Sequence, residues 1–413
     1  GRGNYARWPD TVVGGGYGNV ASNTAAVVAG GEANTAYGAF SSICGGLGND
    51  ATSNGATVAG GIINAATGWT ATVAGGAYNR AGGYAAAVGG GTSNMATGAR
   101  SVVAGGFNNR ALGLYSSIGG GVTNSANSDA ASIGGGAANF IGTNSPYASI
   151  AGGTRNTIQT NAEYASIGAG EGNRIEELAY HGRIGGGIQN LLLRNAYVST
   201  IAGGNNNVIS NNANQSFIGG GSFNTIGNAA AFAVVPGGAY NMAGASYTLA
   251  AGRRAKAMHE GAFVWADSED ADFASTTNNQ FAIRATNGVW ISSSLGGSRP
   301  LSRAGERYAD NNVVAWGSIT GAGAISDDFG ITSVTRTNTG IYNIVIDAAT
   351  VGSGQTICAV VTPEIDVPPT NFASLCVASV NIINSSNRFF QVFMNSGTGA
   401  LTNNDFRVVV TLR

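Results

Sequence analysis

Charge is scarce in this chain. Only 10% of its 413 residues are Asp, Glu, Lys or Arg, the formal net charge is −1, and Lys256 is the single lysine. With no basic block to track a phosphate backbone, nucleic acid is not an expected partner. Cysteine is equally sparse. Cys44, Cys358 and Cys376 form no CxxC pair, and with two histidines they offer no zinc spacing, so no cofactor is expected. Cys358 and Cys376 could meet across two strands or remain two buried thiols. Seven prolines and the lack of a Gly-X-Y triplet rule out Pro-rich disorder and collagen, despite 67 glycines. No apolar run of about 18 residues exists to span a membrane as a helix. No a/d heptad exists to build a coiled-coil stalk. Gly1 is not followed by a signal-peptide pattern, which suggests that a leader was processed away or that another domain precedes this chain.

What the chain does have is a repeated phrase: an aliphatic residue, a small residue, two glycines, two variable residues and asparagine. It reads VGGGYGN at 13–19, VAGGIIN at 58–64, IGGGVTN at 118–124, IAGGNNN at 201–207 and VPGGAYN at 235–241. The first glycine of the pair recurs every 15 residues from Gly15 to Gly135. It then recurs every 17 residues through Gly152, Ala169, Gly186, Gly203, Gly220 and Gly237. Two residues before each pair lies a branched aliphatic such as Val28, Ile43 or Val58, and two before that a small residue such as Ala26, Ser41 or Ala56. Alternate strand positions share a face, so these point inward together.

Four residues after the first glycine stands asparagine. The column is Asn19, Asn34, Asn49, Asn64, Asn79, Asn94, Asn109, Asn124, Asn139, Asn156, Asn173, Asn190, Asn207, Asn224 and Asn241. Two residues further the side chain is apolar again. It is Ala from Ala21 to Ala126, Ile or Leu from Ile141 to Ile226, and Ala once more at Ala243. Longer coils thus carry larger inward side chains, as close packing requires.

Fifteen residues suit two short strands with two turns, and stacked coils about 4.8 Å apart would give about sixteen coils over roughly 75 Å. The glycines fit a tight corner, and the asparagines a structural amide ladder between coils. The fold expected is all-β: a parallel β-roll solenoid over 1–256, a junction and linker over 257–310, and an antiparallel β-sandwich over 311–413. Outward apolar residues, including Leu47, Ile62, Trp69, Phe107, Tyr115, Val122 and Tyr147, suggest a stripe for lateral association.

Phrases such as ASIGGGAANFIG (131–142), SSIGGGVTNSAN (116–127) and ASIAGGTRNTIQ (148–159) resemble the head repeats of YadA-like trimeric adhesins, which also occur in phage and phage-like tail fibres. The chain departs from that pattern in its Asn, its doubled Gly and its two coil lengths. The resemblance implies a left-handed roll assembled as a homotrimer. NQFAIRATNGVWI at 279–291 resembles a segment that follows such rolls in tail-fibre-like proteins, and reads as two strands with a turn at Asn287-Gly288. Residues 311–413 look like the globular tips that end phage tail fibres.

Candidate sites are few. Asp267, Glu269, Asp270 and Asp272 form an acidic run that is either a Ca²⁺ cradle or a solvated loop, and it lacks the ordered Asp-x-Asp-x-Asp-Gly pattern. In the tip loops, Asp366, Asn371, Phe372, Asn403, Asn404 and Asp405 combine polar groups with an aromatic, as sugar contacts do. No catalytic set stands out. His181 and His259 have no evident Ser or Asp partner. The adjacent Glu176 and Glu177 would point to opposite faces of a strand, unlike paired glycosidase carboxylates.

The expected function is non-enzymatic: a tail-fibre-like trimer displaying a receptor-binding tip for a cell-surface glycan or protein. Its N-terminal side would join a baseplate or other particle component, and its place would be extracellular, on a virion or phage-like particle tail or on a bacterial surface. The alternatives are a bacterial surface adhesin or appendage component, and a depolymerase tail spike. Ice binding lacks its repeated Thr-x-Thr column.

Overall fold

The structure, a computed structural model, describes residues 1–292, 298–300, 313–347, 357–363, 376–384, 389–396, 400–401 and 406–412. Among them there is no helix, and two compact units are present, Gly1–Arg284 and Ala285–Arg413.

The first unit is a parallel solenoid. Each coil contributes a two-residue strand to each of two ladders, with the register set by coil length. Val13 lies beside Val28, Ala21 beside Ala36 and, after the lengthening, Ile133 beside Ile150. A third ladder of single-residue bridges runs from Arg2–Tyr17 to Ser222–Ala239. One ladder is an 18-stranded sheet, which at about 4.8 Å per rung extends about 85 Å.

The interior follows from the alternation. Branched aliphatics from Val28 to Val235 are buried on one ladder, and Ala21 to Ala243 on the other, together with every asparagine of the repeated column. In the long coils an extra alanine (Ala162, Ala179, Ala196, Ala213 and Ala230) joins the inward set. A single short coil buries one branched aliphatic and a few methyls, and a long coil such as that of Ile150 and Ile158 buries two large aliphatics, worth a few kcal/mol. It can therefore be ordered only by its neighbours, which also supply its hydrogen bonds.

Those hydrogen bonds alternate in direction. Strand amides donate forward to the next coil, as Val27 does to the Ser41 carbonyl at 2.9 Å. Corner residues hold φ near +55° and donate backward: Ala33 to Tyr17 at 2.9 Å, Tyr115 to Ala99 at 2.9 Å and His181 to Glu163 at 2.9 Å. The left-handed corner costs an L-residue about 1–2 kcal/mol, and it is the conformation that turns the amide toward the preceding coil.

The glycine pair divides its work unequally. At Gly31, φ is +93° and a Cβ would come 2.2 Å from the Gly46 carbonyl oxygen, whereas at Gly30 a Cβ would meet nothing within 4 Å. At this corner only the second glycine is sterically required, and Ala169 occupies the first position in its coil, whereas Gly120 and Gly220 hold that position at φ +150° and +148°.

The solenoid runs further than expected, so the limit at 256 is corrected. Leu249–Arg253, Phe263–Ala266 and Phe281–Arg284 continue the first ladder in parallel, and Ala255–Ala257 and Phe273–Ala274 continue the second. The Gly-Gly-x-x-Asn phrase is lost after Asn241, but inward alternation persists at Ala250, Ala255, Ala257, Val264 and Ala266. Phe281–Arg284 is therefore the last rung, and it pairs with Phe263–Ala266. The two strands expected within 279–291, Phe281–Arg284 and Trp290–Ser292, are present with a turn between them in which the Gly288 amide donates to Ala285 O at 2.8 Å, but Trp290–Ser292 pairs with Ser298–Pro300 and not with Phe281–Arg284.

The second unit contains two four-stranded antiparallel sheets. One orders Ile325–Phe329, Val313–Ile319, Phe406–Leu412 and Ile357–Pro363, and the other Ile331–Asn338, Ile341–Ile346, Phe389–Ser396 and Cys376–Asn384. Their inner faces share one core, in which Tyr342 meets Phe406 edge-on with ring centroids 4.8 Å apart. Cys358 and Cys376 lie on strands of different sheets, and their side chains are outside the described residues.

Candidate functional site

The asparagine column makes the most regular polar array. Taking Asn109, its Nδ2 donates to Gly105 O at 3.0 Å in its own corner and to Gly121 O at 2.8 Å in the next coil. Its Oδ1 accepts the Asn124 amide at 3.0 Å. The same three contacts recur at Asn19, Asn156 and Asn224. Every strong donor and acceptor of the side chain is used within the protein, which leaves nothing to offer a ligand.

The acidic run does not make a cation cradle, and the Ca²⁺ reading is corrected. The last rungs bring four cations onto it. Arg284 Nε lies 2.8 Å from Asp267 Oδ1 and 3.7 Å from Glu269 Oε2. Asp270 lies 2.5 Å from Arg254 and 3.0 Å from Arg253, and Asp272 lies 3.2 Å from Arg254 and 3.7 Å from Lys256. Arg284 also donates to the Glu269 and Ala271 carbonyls at 3.0 and 2.6 Å, stapling the loop. The Arg254 hydrogen bond, aided by the charges of Arg253 and Arg254, holds the Asp270 carboxyl below its ordinary range against a smaller opposing effect of burial. Among the described residues no group of three or more His, Cys, Asp or Glu side chains is placed to hold a metal ion.

Asp366, Asn371, Phe372, Asn403, Asn404 and Asp405 all lie outside the described residues. Glu176 and Glu177 follow the strand Arg174–Ile175 instead of lying on it, and Glu176 pairs with Arg174 at 3.2 Å. His259 does have a partner that the sequence did not reveal: its Nδ1 lies 2.9 Å from the Ser275 hydroxyl, which also accepts the Met258 amide at 2.9 Å. The two residues are 16 apart in a stretch where the repeat phrase has faded, so periodicity could not align them.

The outward apolar residues split into two columns. Leu47, Ile62, Phe107 and Val122 are exposed on the bridge ladder, while Tyr115 and Tyr147 are exposed at left-handed corners, with Trp69 next to one. Corner rings stack along the axis: Tyr147 on Tyr164 at 5.1 Å, Tyr164 on His181 at 4.9 Å and Phe232 on Tyr247 at 5.2 Å. Equal residues at equal coil positions place such rings one rung apart.

Two concavities mark the long coils. The larger, about 670 Å³, is a shallow groove over the first ladder, lined by small residues such as Ser149, Ser166 and Gly168 with Arg183 beside them. The smaller, about 190 Å³, sits where the 15-residue coils give way to the 17-residue ones, between Asn127, Ser128, Asp129, Asn144 and Pro146. No protein-family model matches the chain, and no curated protein matches it.

Proposed function

We propose that this chain is a structural fibre and adhesion protein, a homotrimeric tail-fibre-like shaft whose C-terminal sandwich unit carries the receptor-binding loops. What supports the reading is the order of parts. A one-dimensional, internally hydrogen-bonded solenoid occupies Gly1–Arg284, and a separate antiparallel unit with its own core follows it. In the solenoid each coil touches only its neighbours, an architecture suited to length and stiffness. Exposed Leu47, Ile62, Phe107 and Val122 supply an apolar column for a second and third copy. Three tips on one shaft would raise avidity for a sparse glycan or protein receptor.

Multi-angle light scattering of the purified chain is expected to return three times 41.2 kDa, and a monodisperse 41.2 kDa particle overturns the trimer. Incubation with intact bacteria and isolated surface glycans is expected to show retention without new reducing ends. Release of reducing ends would replace the adhesin with a depolymerase.

A further inference from the structure

The step between the two coil lengths leaves a small polar cleft with unused hydrogen-bonding groups. The short coil turns once, at 128–130, and the long coil above it turns twice, at 143–144 and 146–147. Between successive long coils the extra turn is covered by its counterpart, as Asn195 Nδ2 reaches Asn212 Oδ1 at 2.7 Å and Asn144 reaches Asn161. Below Asn144 there is only a short coil, so its extra turn overhangs and the cleft of about 190 Å³ remains.

Each polar wall residue is held by one bond and keeps another group free. The Ser128 hydroxyl, 4% exposed, accepts the Ser145 amide at 2.7 Å, and its proton has no acceptor among the described residues. Asp129 Oδ1 accepts the Leu114 amide at 2.9 Å, which leaves Oδ2 open. Asn127 Oδ1 accepts the Ser125 hydroxyl at 2.6 Å, which leaves its amide hydrogens. Asn144 donates to Asn161, which leaves its Oδ1. Pro146 adds an apolar wall. Two free acceptors thus alternate with two free donors over an apolar patch.

We propose that this cleft is a saccharide subsite on the shaft, taking one pyranose ring. Vicinal hydroxyls donate and accept at once, and a carboxylate oxygen beside an amide N–H is the arrangement that chelates them. The lone carboxylate repels anions and is too few ligands for a hard divalent cation. A cleft of about 190 Å³ admits a single ring and not a longer chain inserted whole. The residues of the site belong to the solenoid and not to the tip loops.

The test uses the full chain and four named probes: glucose, galactose, mannose and N-acetylglucosamine. Saturation-transfer NMR is expected to show ring-proton transfer for at least one of them. Asp129→Asn keeps the Oδ1 acceptor for Leu114 and replaces the free oxygen, and it is expected to weaken that binding at least tenfold without moving the melting temperature. Asn127→Leu removes the amide donor and is expected to act likewise. A diazirine derivative of the best sugar, photolysed on the wild-type chain, is expected to label the 127–146 peptide. Absence of transfer from all four sugars, undiminished transfer in both variants, or label confined to 364–375 and 402–405 overturns the proposal.

Discussion

Replacing Asn109 by alanine tests the account of the asparagine column directly. The substitution removes the acceptor of the Asn124 amide and the donor to the Gly105 and Gly121 carbonyls. Gly121 O keeps the Phe107 amide at 2.9 Å, so two groups are orphaned, the Asn124 N–H and the Gly105 C=O. At ~1–3 kcal/mol for each buried unsatisfied group the loss is about 2–6 kcal/mol, a large fraction of the 5–15 kcal/mol that holds a typical domain. Asn4→Ala in the first coil removes the acceptor of the Asn19 amide and a donor to Gly16, but at a half-exposed site that water can reach, so about 1 kcal/mol or less is expected. Asn109→Asp keeps an acceptor for Asn124 but sets a second oxygen against two carbonyls, which raises the folded-state pKa of the new acid. Its stability is then greatest at low pH and is lost as pH rises through that raised value. Urea unfolding followed by circular dichroism measures all three variants, with hydrogen exchange of the Asn124 amide as the local reading. If Asn109→Ala falls within about 1 kcal/mol of Asn4→Ala, the ladder is ornamental and the argument fails.

Gly106→Ala places a Cβ 2.2 Å from the Gly121 carbonyl oxygen at φ +95°, and is expected to cost about 3 kcal/mol or more in thermal unfolding. Gly105→Ala, whose Cβ would have Gly90 O as its nearest neighbour at 4.0 Å, is expected to stay within about 1 kcal/mol; equal effects of the two would refute the division of the pair. Because the Asp270 carboxyl is held low, its ion pairs stabilise the last coils above the ordinary carboxylate pKa and are lost as pH falls through the depressed folded value. Hydrogen exchange at 253–284 is therefore expected to accelerate in acid ahead of the central coils, and a loosening with rising pH would contradict the sign. Arg284→Ala removes the ion pair to Asp267 and the bonds to the Glu269 and Ala271 carbonyls, and is expected to open 267–272 to protease at neutral pH.

The repeated portion of the fold was legible because its inward column is chemically narrow. Val, Ile, Ala and Asn recur at fixed offsets, and each recurrence is imposed by the neighbours above and below. The end of the solenoid is marked by the inward alternation and not by the corner phrase, which stops earlier. After Asn241 the Gly-Gly-x-x-Asn phrase is lost, with Gly252 keeping the left-handed corner beside Gly238, while Ala250, Ala257 and Val264 still face inward. The acidic run was read without its cations, since Arg253, Arg254, Lys256 and Arg284 approach it only through the stacking of non-adjacent segments. In the second unit, apolar stretches such as IYNIVI (341–346), ICAVVTP (357–363) and FRVVVTL (406–412) were legible as strands. Ile325–Phe329 and Ile331–Asn338 were not, because each carries polar residues at most positions and depends on its neighbours for its conformation.

Translational repetition also explains where chemistry can reside. Within a run of equal coils the strand amides, the left-handed corner amides and the ladder asparagines meet partners in the adjacent copies, and a lone exception such as the buried Ser41 hydroxyl has no second free group beside it. A cluster of free donors and acceptors needs a break in the repeat. Along Gly1–Arg284 there are three: the change of coil length near Asn127–Pro146, the return from 17 residues to 15 near Ala229–Tyr247, and the closing rungs where Arg284 and the acidic loop meet. The closing rungs satisfy themselves through ion pairs, and the return step is closed by the Ser246 hydroxyl, which accepts the Ala231 amide at 3.2 Å and donates to the Ala229 carbonyl at 3.3 Å, while the first step leaves Ser128, Asp129 and Asn144 each with an unused group. An added 17-residue coil inside the long segment should therefore lengthen the shaft without creating a site, whereas a new alternation of 15- and 17-residue coils should create another cleft. Counting saccharide-labelled peptides in such insertions would decide between a site made by the step and one made by its particular residues.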